Sequence, residues 1–281
     1  MFEAIVENKY GEQLNLCELE GYVVKITGLT PPTATINTSK SVTIDGSKYN
    51  SSRLNERNIV LQIIPTNDIE HKRINLYKYI KSKQYIKLYF KNESRNVWID
   101  GYVESFEGDL FVQRQQLQVS IICPDPYFKS IDESVYEFSA ITPLFTFPFA
   151  ISSEGKAISS LSTFVEKNIL NASDEETGII IELHATGLAL EPTIYNMTTN
   201  EHFTINHEFM AGDIIRINTK RGQKSIVLIR DDVESNIINL MQKGSKWFNL
   251  LVGDNIFAYT TVYGTENLQV KIILQPIFEG V

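Results

Sequence analysis

The chain has 281 residues, 43% of them hydrophobic and 21% charged, and a formal net charge of -8. That length supports two domains with separate cores, because domains usually run to about 100–150 residues, and the composition excludes wholesale disorder. The acidic balance excludes a general nucleic-acid binder, which needs a basic stripe to displace counterions from phosphates.

Two cysteines, Cys17 and Cys123, are too few to frame a disulfide scaffold. They read as reduced thiols packed as small apolar groups. The opening MFEAIVENKYGEQ carries acidic residues and lacks the basic start and apolar core of a signal peptide. The longest near-apolar run, Ile141 to Ile151, is broken by Pro143 and Pro148 and is too short to span a bilayer. The expectation is a protein that folds in a cytoplasm, without membrane insertion.

In chain order, Tyr22 to Ile26 is a β-branched run that stops at Thr27-Gly28, and Pro31-Pro32 then forces an extended or turning segment. Ser41 to Ile44 and Ser47 to Tyr49 flank Asp45-Gly46, a strong hairpin signal because a type I′ turn needs positive φ at its centre. Arg57 to Ile64 is a strand closed by Pro65. A helix follows from about Asn67 to Lys83, capped by Thr66, Asn67 or Asp68, with Ile69, Leu76, Tyr77 and Ile80 on one face. Lys72, Lys78, Lys81 and Lys83 mark its solvated side. Ile86, Leu88 and Phe90 alternate with Tyr85, Lys87 and Tyr89 in the next strand. Val97 to Phe106 is another, with Asp100-Gly101 marking a bulge or a close backbone approach. Glu107 to Asp109 turns into a short strand at Leu110-Phe111-Val112.

Gln115 to Phe128, QQLQVSIICPDPYF, is the stretch on which the chain divides. Leu117, Val119, Ile121 and Cys123 share one face of a half-buried strand. Pro124-Asp125-Pro126 then fixes φ twice, removes two backbone donors and ends the ladder. These three residues form the expected domain hinge, with residues 1–130 before it and 131–281 after it. The first half reads as a β-sheet domain with one helix laid against it.

The second half is a series of short strands with turn signals, the pattern of an antiparallel sandwich or jelly roll. Phe145, Phe147 and Phe149 suggest an extended segment, and Thr177 to Leu183 a buried strand. Hairpins are expected at 193–205 around Asn196 to Glu201, at 214–229 around Gly222, and at 258–274 around Gly264 to Asn267. Ile237 to Lys243 suits a short helical turn.

No catalytic set assembles from this sequence. His207-Glu208 opens like a zinc-protease motif, but position 211 is Ala, so the second histidine one turn on is missing. His202 and His207 lack the further ligands that a metal requires. Asp231-Asp232 and Asp174-Glu175-Glu176 lie in loops, where acidic clusters mostly solubilise. Trp98 and Trp247 suit a core better than a sugar-stacking platform. The expectation is a protein that is not an enzyme and holds no metal or cofactor.

The chain resembles the distal tail proteins of tailed bacteriophages along nearly its whole length. The similarity lies in Ile26-Thr27-Gly28-Leu29, Arg57 to Leu61, Tyr77 to Phe90, Val97 to Phe106 and, above all, Cys123-Pro124-Asp125-Pro126-Tyr127-Phe128. It continues in Glu191 to Asn196, in Ala211-Gly212-Asp213 leading to Ile217-Asn218-Thr219, in Trp247 to Leu250 and in Gly253-Asp254-Asn255. The chain departs from the family's pattern at Asn171-Ala172-Ser173-Asp174, where Ser173 replaces a usual Gly, and it lacks the long sugar-binding insertion of some relatives.

The resemblance implies a mainly β protein with one α-helix. An N-terminal tail-tube-like β-sandwich or barrel would precede a C-terminal galectin-like antiparallel β-sandwich, and the last strand, about 269–277, could return to the first domain. It implies a homo-hexameric ring at the distal end of the phage tail, within the virion. The partners would be the major tail tube protein, the tail-tip (tail-associated) protein, the tape measure protein and receptor-binding or baseplate proteins. A ring contact is expected at Asp45, Gly46, Arg53 and Arg57, on the hairpin and the segment after it. The alternative reading is a carbohydrate-binding β-sandwich module for host-surface attachment.

Overall fold

The structure, a computed structural model, describes residues 2–40, 45–109, 111–139, 141–143, 159–161 and 165–281. They form two units, Met1–Asp132 with Ile277–Val281, and Glu133–Pro276.

Unit 1 comprises β1 (Glu3–Asn8), β2 (Gln13–Asn15), β3 (Tyr22–Thr27), β4 (Ala34–Ser39), β5 (Lys48–Leu54), β6 (Arg57–Pro65), α1 (Ile69–Tyr79), β7 (Tyr85–Lys91), β8 (Asn96–Gly108), β9 (Leu117–Cys123) and β10 (Phe128–Ser130). Its main antiparallel sheet runs β2-β1-β7-β8-β9-β6-β3, and β10 pairs with the start of β8. Period-2 burial sets the register. Ile59, Leu61 and Ile63 of β6 and Leu117, Val119, Ile121 and Cys123 of β9 are fully buried. A slip by one residue would turn those side chains out to water.

The helix is shorter at both ends than its sequence pattern suggests. Asp68 takes φ 49° at the N-cap, and its carboxylate pairs with His71 Nδ1 at 2.8 Å instead of a backbone N–H. The C-cap, Ile80, is already extended, and its side chain is buried beside that of Leu76. Tyr77 stays 37% exposed and meets Phe106 edge-on at 5.0 Å. Of the lysines on the solvated side, Lys72 is tied down, donating to the Glu20 carbonyl.

Two glycines mark places where backbones nearly touch. A Cβ at Gly28, where φ is +87°, would lie 2.1 Å from the Asn58 carbonyl oxygen. That contact stops β3 as expected. At Gly101 a Cβ would lie 2.8 Å from Cys123 Sγ, Ile121 Cγ2 and the Ile122 oxygen. Gly101 is therefore a close approach, and the bulge lies two to three residues on, between Val103 and Ser105.

Two local expectations are corrected. Phe111 and Val112 form no strand; they sit in the β8–β9 connection, 102% and 47% exposed. The alternation there is too short to claim a partner in the ladder. The β4–β5 ladder ends at Ser39↔Lys48, so Asp45-Gly46 lies within a longer connection and not in a two-residue turn. The expected strand at Ser41 to Ile44 lies outside the described residues.

Unit 2 comprises β11 (Ser134–Ser139), β12 (Ile141–Pro143), β13 (Ser159–Leu161), β14 (Val165–Asn171), β15 (Ile180–Ala185), β16 (Ala189–Leu190), β17 (Thr193–Asn196), β18 (Glu201–Thr204), β19 (Glu208–Phe209), β20 (Ile214–Asn218), β21 (Ser225–Arg230), β22 (Val233–Asn236), β23 (Gly253–Thr260) and β24 (Leu268–Leu274). A six-stranded sheet, β11-β24-β15-β20-β21-β22, and a four-stranded sheet, β14-β23-β17-β18, share one core. Ile181, Leu183, Ile215 and Ile272 enter it from the first sheet, and Ile169, Ile194, Phe203, Phe257 and Tyr259 from the second. The unit is an antiparallel β-sandwich. The 3₁₀ turn Ile238–Leu240 stands where a helical turn is expected.

The hairpins at 193–205 and 214–229 form as read. The one at 258–274 does not, because β23 and β24 belong to different sheets. Gly264, at φ +81°, and the 3₁₀ turn Thr265–Asn267 carry the chain between the sheets, and Tyr259 Oη donates across to the Leu268 carbonyl at 2.8 Å. Alternation reports which residues face inward; it does not report which sheet receives them. The segment Phe145 to Phe149 lies outside the described residues.

The last described strand, β25 (Ile277–Phe278), pairs with β10 and belongs to unit 1. The expected returning strand at 269–277 is thus split. β24 stays between β11 and β15, and Pro276, which has no N–H to give a ladder, separates it from β25.

The packing at Gly101 gives a direct test. Gly101→Val should destabilise unit 1 by about 1–3 kcal/mol through overpacking against β9, read as a lower urea midpoint with an unchanged slope.

Candidate assembly surfaces and the Arg57 centre

Among the described residues, no group of three His, Cys, Asp or Glu side chains is placed to hold a metal ion. His202 lies against Tyr195 and His207 against Phe209, in separate ring contacts. The Cys123 thiol is fully buried, and burial pushes its pKa up to about 12, which leaves no nucleophilic thiolate. Two clefts in unit 1 measure about 230 Å³ beside Ile5, Tyr89 and Phe90 and about 420 Å³ beside Tyr77, Ile80 and Phe106. Neither is lined by a histidine or a cysteine. Trp247 packs edge-on against Phe203 at 5.3 Å, with Lys224 Nζ 5.7 Å from its ring centre.

What the structure does concentrate is polar structure around Arg57. This side chain is 2% exposed. Its Nε donates to the Pro126 carbonyl at 2.8 Å, Nη1 donates to the Gly28 and Thr30 carbonyls at 2.6 Å each, and Nη2 donates to the Glu279 carbonyl at 2.6 Å. The guanidinium also lies 4.5 Å from the centre of the Phe128 ring. Burial pushes its pKa down from the ordinary arginine value, but an arginine so low as to lose its proton is not met in proteins. The planar fork thus fixes four carbonyls from three backbone segments at once. Arg57 is a core residue, which removes it from the expected ring contact: a side chain with every nitrogen engaged inside its own unit offers nothing to a neighbour.

The Pro124-Asp125-Pro126 corner is also not the division between units. The chain continues into β10, which pairs with β8, and unit 1 extends to Asp132. The corner is instead braced. Lys129 Nζ reaches Asp100 at 3.0 Å and Asp125 at 3.1 Å. Burial alone would lower the Lys129 pKa, but the two carboxylates outweigh it and the net direction is upward.

Asp45, Gly46 and Arg53 are all exposed, on or beside the β4–β5 ribbon. Among the described residues the ribbon has no third strand. Its cross-strand contacts are polar, as in Asn37 to Ser51 at 3.0 Å and Ser39 to Asn50 at 3.3 Å, while Ile36 and Tyr49 stand 56% and 59% exposed.

Unit 2 holds two buried carboxylates that the sequence reading passed over. Asp213, 2% exposed, accepts from Arg230 Nε at 2.7 Å and from the Met210 N–H at 2.8 Å. The Arg230 contact holds its pKa below the usual carboxylate value. Glu182 sits in a row across the outer face of the six-stranded sheet, Glu137↔Lys271↔Glu182↔Arg216. Burial alone would raise its pKa; Arg216 at 3.0 Å, His184 at 3.5 Å and Lys271 at 3.8 Å outweigh that and lower it. The spacing of Ala211-Gly212-Asp213 before a strand was the available signal for the first. Opposite charges at matched register on β15, β20 and β24 would have marked the second.

Two β-rich units are joined in one chain, each with its own core. Comparison with known proteins gives the family. Residues 9–123 match the model of the phage tail protein RIFT-related domain, and residues 172–273 match that of the siphovirus-type tail component, C-terminal domain. Together they span most of both units, and the chain belongs to the distal tail protein family, components of the phage tail tip.

Solved structures share the fold. The crystal structure of the SPP1 Dit (gp 19.1) protein, described as a paradigm of hub adsorption apparatus in Gram-positive infecting phages, is 12% identical with a TM-score of 0.71, over 99% of each chain. The phage P2 baseplate in its activated conformation with Ca is 11% identical with a TM-score of 0.54, over 100% of each chain. The corresponding Sr structure is 11% identical with a TM-score of 0.52, over 98% of each chain. No curated protein matches the chain in sequence.

Two outcomes follow from these centres. Arg57→Ala should destabilise unit 1 by at least about 3 kcal/mol, because it orphans several buried carbonyls, and Arg57→Lys should not restore the loss, since one ammonium cannot reach all four; both are read by chemical denaturation. Asp213 and Glu182 have folded pKa values below their unfolded ones. Their stabilisation is therefore complete above the unfolded values and is lost as pH falls from about 4 through the folded ones. Asp213→Asn should lower the melting temperature at neutral pH and flatten its acid decline, as thermal melts across that range would show.

Proposed function

We propose that this protein forms a hexameric ring at the distal end of the tail, joining the tail tube to the tail-tip or baseplate proteins and docking receptor-binding components. Unit 1 supplies the ring, and unit 2 faces the docking partners. The observation that carries this reading is the β4–β5 ribbon. An isolated two-stranded ribbon is marginally stable in water, and this one exposes Ile36 and Tyr49 along with unpaired strand edges. Such an edge is normally covered, and the neighbouring subunit in a ring covers it without leaving a free end. A closed ring needs a heterologous contact, the ribbon of one copy against a different face of the next. Asp45, Gly46 and Arg53 lie in that contact.

The tail tube protein, the tape measure protein and the tail-associated tip protein are the partners this position requires, one above, one within and one below. An acidic lumen wall would not retain DNA passing through it, and the net charge of -8 suits that role.

Sedimentation of the purified chain tests the reading. The wild type should run at six times 32.0 kDa, and Lys48→Glu with Arg53→Glu should shift it to smaller species while leaving the melting temperature within a few degrees. A charge-reversed ribbon that still gives the full ring would contradict the placement of the contact. A different closed stoichiometry would contradict the hexamer.

A further inference from the structure

We propose that unit 1 contains a peptide-binding groove, formed by the Leu29–Pro31 loop, Arg57, Arg95 and β10, which takes the segment Ile277–Val281 as a separable ligand. The segment is held almost residue by residue. Ile277 and Phe278 pair with Lys129 and Phe128 in an antiparallel ladder. The Glu279 carbonyl accepts from Arg57 Nη2 at 2.6 Å, the Gly280 carbonyl accepts from Arg95 Nη1, and the Val281 N–H donates to the Leu29 carbonyl at 3.1 Å. This is strand addition to a sheet followed by capture of two carbonyls by two guanidinium groups, so most of the recognition is of main chain.

Two positions add side-chain selectivity. The Phe278 ring lies 4.4 Å from the Arg95 guanidinium carbon and packs against the buried cluster of unit 1. A Cβ at Gly280 would meet the Leu29 oxygen at 3.2 Å and Pro31 Cδ at 3.4 Å, so the backbone there lies close to the groove wall. The ligand class is an extended peptide with an aromatic residue, glycine two positions on and an aliphatic residue directly after the glycine.

The groove keeps most of its framework when the segment is absent. Arg57 is already oriented by Gly28, Thr30 and Pro126, three contacts that do not involve the segment. Only its Nη2 bond to Glu279 is lost. All of Glu133–Pro276 lies between the two parts of unit 1. Synthesis is vectorial and domains fold as units, so residues 1–132 exist with the groove empty until unit 2 has been made. The site therefore works as a receptor for its own chain: unit 1 becomes complete only after unit 2 is in place.

The test uses a chain ending at Pro276 and a fluorescent peptide of sequence PIFEGV, followed by anisotropy and thermal melting. The shortened chain should melt lower than the full one, bind the peptide saturably at one per chain, and recover its melting temperature when saturated. A peptide with the Phe278→Ala or Gly280→Val change should bind roughly tenfold more weakly, and the full chain should not bind at all because its groove is filled. An unchanged melting temperature, or equal binding by full and shortened chains, would overturn the proposal. Should the shortened chain fail to fold, a protease site placed between Pro276 and Ile277 of the full chain allows cleavage after folding. The labelled peptide should then exchange into the cleaved protein and not into the uncleaved one; no exchange on prolonged incubation would overturn the claim.

Discussion

The buried guanidinium of Arg57 sets the conditions under which the first unit exists. Four carbonyls from Gly28, Thr30, Pro126 and Glu279 converge on it, and none of the three segments that carry them has a regular ladder at the point of contact. A cation in this place depends on its hydrogen bonds, since a buried charge stripped of them costs several kcal/mol. The loop after β3 and the Pro-Asp-Pro corner are therefore fixed together, and the segment that follows unit 2 adds the last contact. The corner's two prolines end the β9 ladder, and the Pro126 carbonyl beyond it accepts from Arg57.

The same logic recurs in unit 2 with the sign reversed. Glu182 is a buried carboxylate between Arg216 and Lys271 on the outer face of a sheet. A shift of any of the three strands by one residue would bury it against the wrong neighbours, so the row fixes register as well as adding charge pairs. Asp213 pins the turn before β20 through Met210 and ties it to β21 through Arg230. Both units thus rely on single buried ions to hold loops and registers that apolar burial alone leaves loose. In a tail-tip protein, which assembles with other tail components, that rigidity suits assembly.

Much of the fold was legible in the sequence. The strands β6, β7, β8 and β9 alternate cleanly, since one face of each is buried, and Gly28 announced the end of β3 and Gly101 a bulge or close approach. What failed did so for identifiable reasons. The helix pattern ran past its true ends because Asp68 spends its carboxylate on His71 and Ile80 turns inward in an extended conformation. The apparent hairpin at 258–274 was a crossover because alternation carries no information about sheet membership. Arg57 looked like a surface charge next to a polar loop, and its role depends on Glu279, more than two hundred positions away. A long-range contact of that kind leaves no local pattern. The hinge was misplaced for a related reason: two prolines end a ladder, but a three-residue strand after them still belongs to the same sheet.

A cryo-electron microscopy reconstruction of the tail tip of intact phage particles carrying this protein tests the proposed ring most directly. Six copies are expected in one ring at the distal end, with unit 1 continuous with the tube and each β4–β5 ribbon lying on a neighbouring copy. Copies arranged along the tube or in the head, a stoichiometry other than six, or ribbons left in solvent within a closed ring would contradict it.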